Sequence, residues 1–230
     1  MNKLPSPRPR RARPDFPIGE TLETLRAEVR HWKTPVVTIY AGQKATAFMI
    51  LVSTILSLRT QDKTTAEASA RLFALAKTPE AISKLRPALI QKTIFPVGFY
   101  RTKARTLIEL SRTLLKEHGG EVPDDLDTLL KLNGVGRKTA NLVITLGYGK
   151  PGICVDTHVH RITNRWGYLK TKTPEQTESA LRKILPIKYW IPINDWLVAF
   201  GQNLCKPVSP ICSQCKISPH CARIGVTISR

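Results

Sequence analysis

Two stretches of this chain hold residue types that can do chemistry together. The first is Gly134-Val135-Gly136-Arg137-Lys138. A helical pattern carried by Leu126, Leu129 and Leu130 ends at Leu132, and a second, carried by Ala140, Val143 and Ile144, begins near Arg137 and stops at Gly147. Only Asn133 to Gly136 separate them, which predicts a helix-hairpin-helix over residues 126–146. Glycines in so tight a turn leave backbone N–H donors at the positive end of a helix with no side chain in the way, an arrangement suited to phosphate. Arg137 and Lys138 add formal charge at the same place. On the first turn of a helix, the Lys138 ammonium would face that positive end, which favours the neutral, nucleophilic amine of Schiff-base chemistry. The second stretch starts at Asp156, eighteen residues after Lys138 and at the head of another helical pattern, Val159, Ile162 and Trp166. Its position favours a helix cap; deprotonating an amine or stabilising a cationic sugar is the competing role.

A third group is the cysteine cluster Cys205, Cys212, Cys215 and Cys221, spaced C-x6-C-x2-C-x5-C. In a reducing compartment such crowding means metal rather than disulfides. Four thiolates suit tetrahedral zinc or a [4Fe–4S] cluster equally well, and spacing alone leaves both open. His220 reads as a bystander, and the isolated Cys154 as a small buried hydrophobe.

The elements that must position these groups are helical. Leu22, Leu25 and Val29 form one stripe; Phe48, Leu51, Ile55 and Leu58 a second; Leu72, Phe73 and Leu75 a third. Pro79 and Pro87 open two shorter pieces, and Ala104 to Leu115 mark a long helix that Gly119-Gly120 ends. Thr173 to Gln176 read as a capping box, and Trp196, Leu197, Phe200 and Leu204 lead into the cysteines. No stretch alternates with period two for long, so the fold class is all-α.

Composition bounds the partners. The 230 residues hold 36 Lys and Arg against 17 Asp and Glu, a formal charge of +19 that points to a polyanion, nucleic acid first. No apolar run reaches the length of a membrane span, and the basic N-terminus is followed by no apolar stretch of a signal peptide. The expectation is a cytoplasmic, nucleoid-associated protein (nuclear in a eukaryote) with no membrane partner. Residues 1–17, with five prolines, five basic residues and one acid, read as a disordered basic tail.

Taken in order, Leu58-Arg59-Thr60-Gln61-Asp62, Val97-Gly98-Phe99-Tyr100, Gly119 to Pro123, Gly134 to Ala140, Val155-Asp156-Thr157-His158 and the four cysteines resemble the endonuclease III family of the helix-hairpin-helix DNA glycosylase superfamily. The resemblance runs from about residue 20 to residue 222. It implies two α-helical lobes: a six-helix barrel over residues 38–150, and an iron–sulfur cluster lobe from residues 18–37 plus 151–222, with a short tail over 223–230. It implies a monomeric, bifunctional glycosylase and abasic-site lyase of base excision repair that acts on double-stranded DNA with an oxidised pyrimidine or an abasic site. The family's nucleophile falls on Lys138 and its essential aspartate on Asp156, which reverses the preference for a simple cap. Its [4Fe–4S] ligands fall on Cys205, Cys212, Cys215 and Cys221. Its DNA contacts fall on Arg59 (filling the hole left by a flipped base), Phe99 (an apolar wedge), Asn133, Gly134, Val135, Gly136, Arg137, Thr157 and His158.

The chain departs from the family pattern in four places. Arg59 stands where glutamine is common, and Phe99 where leucine is common. Asn133 replaces a proline before the hairpin glycines and is expected to loosen that turn. The loop between Cys205 and Cys212 carries one basic residue. Two other readings compete: a mismatch glycosylase of the same superfamily, acting on adenine or on thymine or uracil, and a non-catalytic DNA-binding protein. The adenine enzymes carry a catalytic glutamate where this chain has Thr54, and the thymine enzymes tend to replace the hairpin lysine with tyrosine.

Overall fold

The computed structural model describes residues 15–32 and 45–230, and these divide into two compact units. One comprises the described part of Pro35–Gly152; the other joins the N-terminal helix to Ile153–Arg230. Among the described residues there is no strand, as the missing period-two pattern requires. No described helix is long and apolar enough to cross a membrane.

The 35–152 unit is built from helices α2 (Ala47–Ser57), α3 (Asp62–Leu75), α4 (Pro79–Ser83), α5 (Pro87–Ile94), α6 (Tyr100–His118), α7 (Leu126–Lys131) and α8 (Arg137–Leu142). Helix α2 is its hub. Eight of its eleven residues are buried, because it is apolar on every side and other helices cover it. Its exposed start is capped by Thr46, whose hydroxyl accepts from Met49 N at 3.2 Å. Helix α8 widens into a π-turn over Val143–Gly147, which carries the second hairpin helix to the predicted stop. Leu75, expected in the third stripe, is instead 53% exposed at the C-terminal end of α3.

The other unit contains α1 (Ile18–Val29), α9 (Thr157–Trp166), α10 (Pro174–Ile184) and α11 (Ile193–Asn203), followed by the cysteine loops. Its core centres on Trp166, Phe200, Leu22 and Leu25. The expected disordered tail over 1–17 stops short of Phe16: that ring is 4% exposed and stacks on Trp166 at 5.8 Å. The reason is plain: one aromatic ring buries more apolar area than the flanking prolines and charges oppose. The rest of that predicted tail, residues 1–14, lies outside the described residues. The C-terminal stretch 223–230, expected as a tail, is also packed: Val226 is buried, and Arg230 N–H donates to Pro210 O at 2.9 Å while Arg230 O accepts from Ser213 N.

Candidate active site and nucleic-acid interface

Helices α7 and α8 form the predicted hairpin. Gly134 sits at φ +80°, and a Cβ there would come within 2.5 Å of Thr106 Cγ2, so both the backbone angle and the packing against α6 demand glycine. At Gly136, the N-cap of α8, a Cβ would meet nothing within 4 Å. The turn is therefore closed on the α6 side and open at the head of α8. The Val135 N–H donates to Leu132 O at 3.1 Å and its side chain is 7% exposed, so this predicted DNA contact is a core residue that offers neither side chain nor amide donor. The backbone donors left to meet a phosphate are those at the head of α8, at the positive end of that helix. Asn133 does not loosen the turn as expected, because its Nδ2 donates to Glu109 Oε2 at 2.9 Å and ties the hairpin to α6. Lys138 is half-buried on the first turn of α8.

The two residues expected to meet a base stack stand together in the same unit. Arg59 follows the end of α2 and Phe99 caps the start of α6; both are exposed, and Phe99 is 62% exposed, which excludes a core aromatic. Both also have left-handed backbone, at φ +53° and +58°, where non-glycine residues are disfavoured by about 1–2 kcal/mol each. The Arg59 guanidinium lies over the Phe99 ring, 5.6 Å from its centroid. Nearby Thr54, at the position of the adenine enzymes' glutamate, is fully buried and donates back to Ile50 O at 2.7 Å. It presents no group to a substrate.

In the other unit Asp156 is the N-cap of α9. Its Oδ1 accepts from His158 N at 2.8 Å and Val159 N at 2.9 Å, so the helix start fixes the carboxylate. Thr157 is exposed at the first position of that helix. His158 Nδ1 lies 3.2 Å from the Arg161 guanidinium, which also donates to Cys205 O at 2.8 Å. Gly201 is required beside this pair, since a Cβ there would sit 2.2 Å from His158 Nδ1.

The four cysteines line a single pocket together with Trp166 and Phe200. Burial pushes the Cys205 and Cys215 thiols up and the Cys221 thiol up to about 12. Arg165, on α9, is 5% exposed; its guanidinium donates to Cys205 Sγ at 3.3 Å, Lys206 O at 2.8 Å and Pro207 O at 3.1 Å. Among the described residues no three His, Cys, Asp or Glu side chains close on a single-ion site; the four sulfurs open instead on one shared, mostly apolar space. Desolvated thiols that must all be ligands need cationic charge brought in with the bound group, and thiolate ligands are deprotonated outright by a metal. His220 reaches away to Glu20 at 3.6 Å, and Cys154 is 2% exposed, both as the sequence suggested.

Comparison with known proteins places this arrangement. Residues 52–187 match the family described as HhH-GPD superfamily base excision DNA repair protein, and together with the hairpin that match defines the class. The chain is 51% identical over 174 residues to Endonuclease III of Thermotoga maritima, covering 76% of this chain and 82% of that protein. It is 37% identical to Endonuclease III of Escherichia coli K12 over the same shares. A solved structure of a trapped Endonuclease III–DNA covalent intermediate matches with a TM-score of 0.81 at 32% identity, covering 90% of this chain and 95% of that one. This chain belongs to the endonuclease III family of the HhH-GPD superfamily.

Proposed function

We propose that this protein is a bifunctional DNA glycosylase and abasic-site lyase of base excision repair, acting on double-stranded DNA that carries an oxidised pyrimidine or an abasic site. The observation that carries the reading is Lys138 on the first turn of the second hairpin helix in a chain of this family. The reacting C1′ atom is shielded in a stacked duplex, so the damaged nucleotide is turned out of the stack first. Arg59 and Phe99 then occupy the space it leaves. The neutral Nζ of Lys138 attacks C1′, the C1′–N bond to the base breaks, and the base leaves with the bonding pair. Ring opening gives a protonated Schiff base that acidifies the C2′ hydrogens. Loss of a C2′ proton expels the 3′ phosphate by β-elimination and cuts the strand. Asp156, held by its capping bonds, offsets the charge that develops on the sugar and accepts a proton. Amides and the Arg137 side chain at the head of α8, with Gly134 and Gly136 keeping the approach clear, grip phosphate without reading sequence; Asn133, Thr157 and His158 add contacts to the backbone.

Cys205, Cys212, Cys215 and Cys221, which line one shared, mostly apolar pocket, would hold the [4Fe–4S] cluster that the family resemblance implies. When bound, it would supply cationic iron to the four thiolates, of which Cys205 is buried and the other three partly so. No step of base excision passes through it. The protein acts as a monomer in the compartment that holds the genome: cytoplasm and nucleoid, or the nucleus in a eukaryote.

Borohydride trapping on duplex DNA with thymine glycol, beside an abasic duplex and the Lys138→Ala variant, tests the reading. A covalent adduct on both substrates that vanishes in the variant is expected. Adduct on the abasic duplex alone would reduce the protein to a lyase, and no adduct with DNA binding intact would overturn both activities.

A further inference from the structure

Lys103 was not singled out by spacing, yet it is the most unusual residue of the 35–152 unit. It lies in the first turns of α6, on the buried stripe that continues through Leu107, Leu110 and Leu114, and is only 7% exposed. An ammonium has three N–H donors. Those of Lys103 reach Leu56 O at 2.9 Å, Leu58 O at 2.6 Å and Thr60 Oγ1 at 3.4 Å. Leu56 and Leu58 are at the end of α2, where the last carbonyls lack helical partners and the helix dipole is negative. The charge is thus met by backbone oxygens. Burial still pushes this lysine down to about 8, which shows that its charge is held at a cost. Leucine or methionine would continue the stripe without that cost, so what the lysine contributes is geometry.

The geometry concerns the two left-handed turns. Lys103 N–H donates to Phe99 O at 3.0 Å, while its Nζ binds the carbonyls on either side of Ser57 and the hydroxyl just after Arg59. That same hydroxyl of Thr60 accepts from Gly98 N at 3.1 Å. The two chains approach so closely that a Cβ on Gly98 would lie 2.5 Å from Arg59 O. Arg71 anchors the far side of the second turn, donating to Thr93 O at 2.8 Å and Phe95 O at 2.7 Å. Two disfavoured backbone conformations persist only where neighbours over-determine them, and from the helix that Phe99 caps Lys103 bonds the carbonyl framework of the first turn.

We infer that Lys103 is a positioning residue that locks the Arg59 and Phe99 turns into one rigid element, so that plug and wedge enter the base stack together. The inference rests on the reading of Arg59 and Phe99 given under the proposed function. It assigns no contact between Lys103 and DNA.

The test compares two abasic duplexes, one fully paired and one with mismatched flanks, in which the stack is already open. 2-Aminopurine beside the abasic site reports unstacking. Lys103→Met and Phe99→Ala are each expected to lower both the unstacking signal and the single-turnover cleavage of the paired duplex by about tenfold, and to leave the mismatched duplex within about twofold. The double variant should be no worse than either single one, because both break the same element. Lys103→Arg, which keeps charge and donors, should restore part of the signal. Equal loss on both duplexes would make Lys103 a merely structural residue and overturn the inference. So would an unchanged Lys103→Met beside an impaired Phe99→Ala. If Phe99→Ala and Arg59→Ala both leave the paired duplex unaffected, the stack-entry reading itself falls, and the inference with it. Should Lys103→Met fail to fold, Thr60→Val removes the hydroxyl shared by Lys103 and Gly98 and carries the same comparison.

Discussion

The two units hold their candidate residues in opposite ways. In the 35–152 unit, Arg59, Phe99 and Gly134 stand on exposed turns with left-handed backbone, and the order comes from beneath, through Lys103, Arg71 and the Asn133–Glu109 bond. In the unit containing residues 153–230, Asp156 caps α9 through backbone amides, and Arg161 and Arg165 of that helix bond the Cys205 neighbourhood in a buried polar web. Turns on a surface are free to meet DNA, but they must store strain. The second unit has left-handed non-glycine residues too, Ser209 and Arg223 in its cysteine loops, but there the loss of a buried partner leaves others desolvated and unpaired. Truncating an exposed or half-buried side chain of the first unit should therefore cost function and spare the fold, whereas loss of a buried bond in the second should cost both.

The largest effect sits in the first unit. Lys138→Ala should abolish borohydride trapping and lower strand cleavage by about 10³-fold or more, as removal of a nucleophile does. Its unfolding free energy should stay within about 0.5 kcal/mol of wild type. A large loss of stability would break the contrast between the units. Next comes Arg165→Ala, which strands three acceptors in a buried site and should destabilise the protein by about 2–4 kcal/mol in denaturant unfolding. It should also bleach the broad visible absorbance of an iron–sulfur preparation, and full retention of both would contradict the web.

Gly134→Ala should cost about 1–2 kcal/mol from φ alone, with the Thr106 approach adding to it, and should weaken binding to undamaged duplex; an equilibrium titration checks this. Asp156 sharpens the comparison because it belongs to both descriptions. Asp156→Asn keeps a capping oxygen, and Asp156→Ala loses it, so only the alanine variant should lose about 1 kcal/mol of stability, while both lose turnover. Equal stability in the two would mean the cap contributes nothing.

A pH dependence tests the footing of the first unit separately. Lys103 in the folded protein titrates near 8 and in the unfolded chain near 10.5. Between those values the unfolded state binds more protons, so this group makes stability rise with pH through that window; below 8 the cost of its charge is constant. The difference in unfolding free energy between wild type and Lys103→Met should follow that rise, and a flat difference from pH 7 to 10 would argue that the amine is not desolvated.

Much of the molecule was legible in the chain because its signals are local. The helical stripes and the hairpin glycines follow from spacing, and so does the position of Asp156 at the head of α9. Cys154 as a buried hydrophobe also needed only its apolar neighbours. Phe16 misled because prolines and arginines surround it, and nothing nearby in sequence announces Trp166, 150 residues away. Val135 misled for a similar reason: the motif counts it as part of an open turn, while the core behind the turn claims its side chain. Lys103 did leave a trace, a charge on the apolar stripe of α6, but its partners lie 43 to 47 residues upstream.

What the sequence determined alone is therefore the all-α class, the hairpin, the cysteine group and the residue types able to do chemistry, since each depends on periodicity or on a few adjacent residues. Tertiary structure decided the rest. It decided that Asn133 tightens a turn it was expected to loosen, that Arg59 and Phe99 form a stacked pair, and that a buried lysine holds their turns. These outcomes depend on which oxygens and rings are brought within bonding distance when helices pack, and that distance is written in no single segment of the chain.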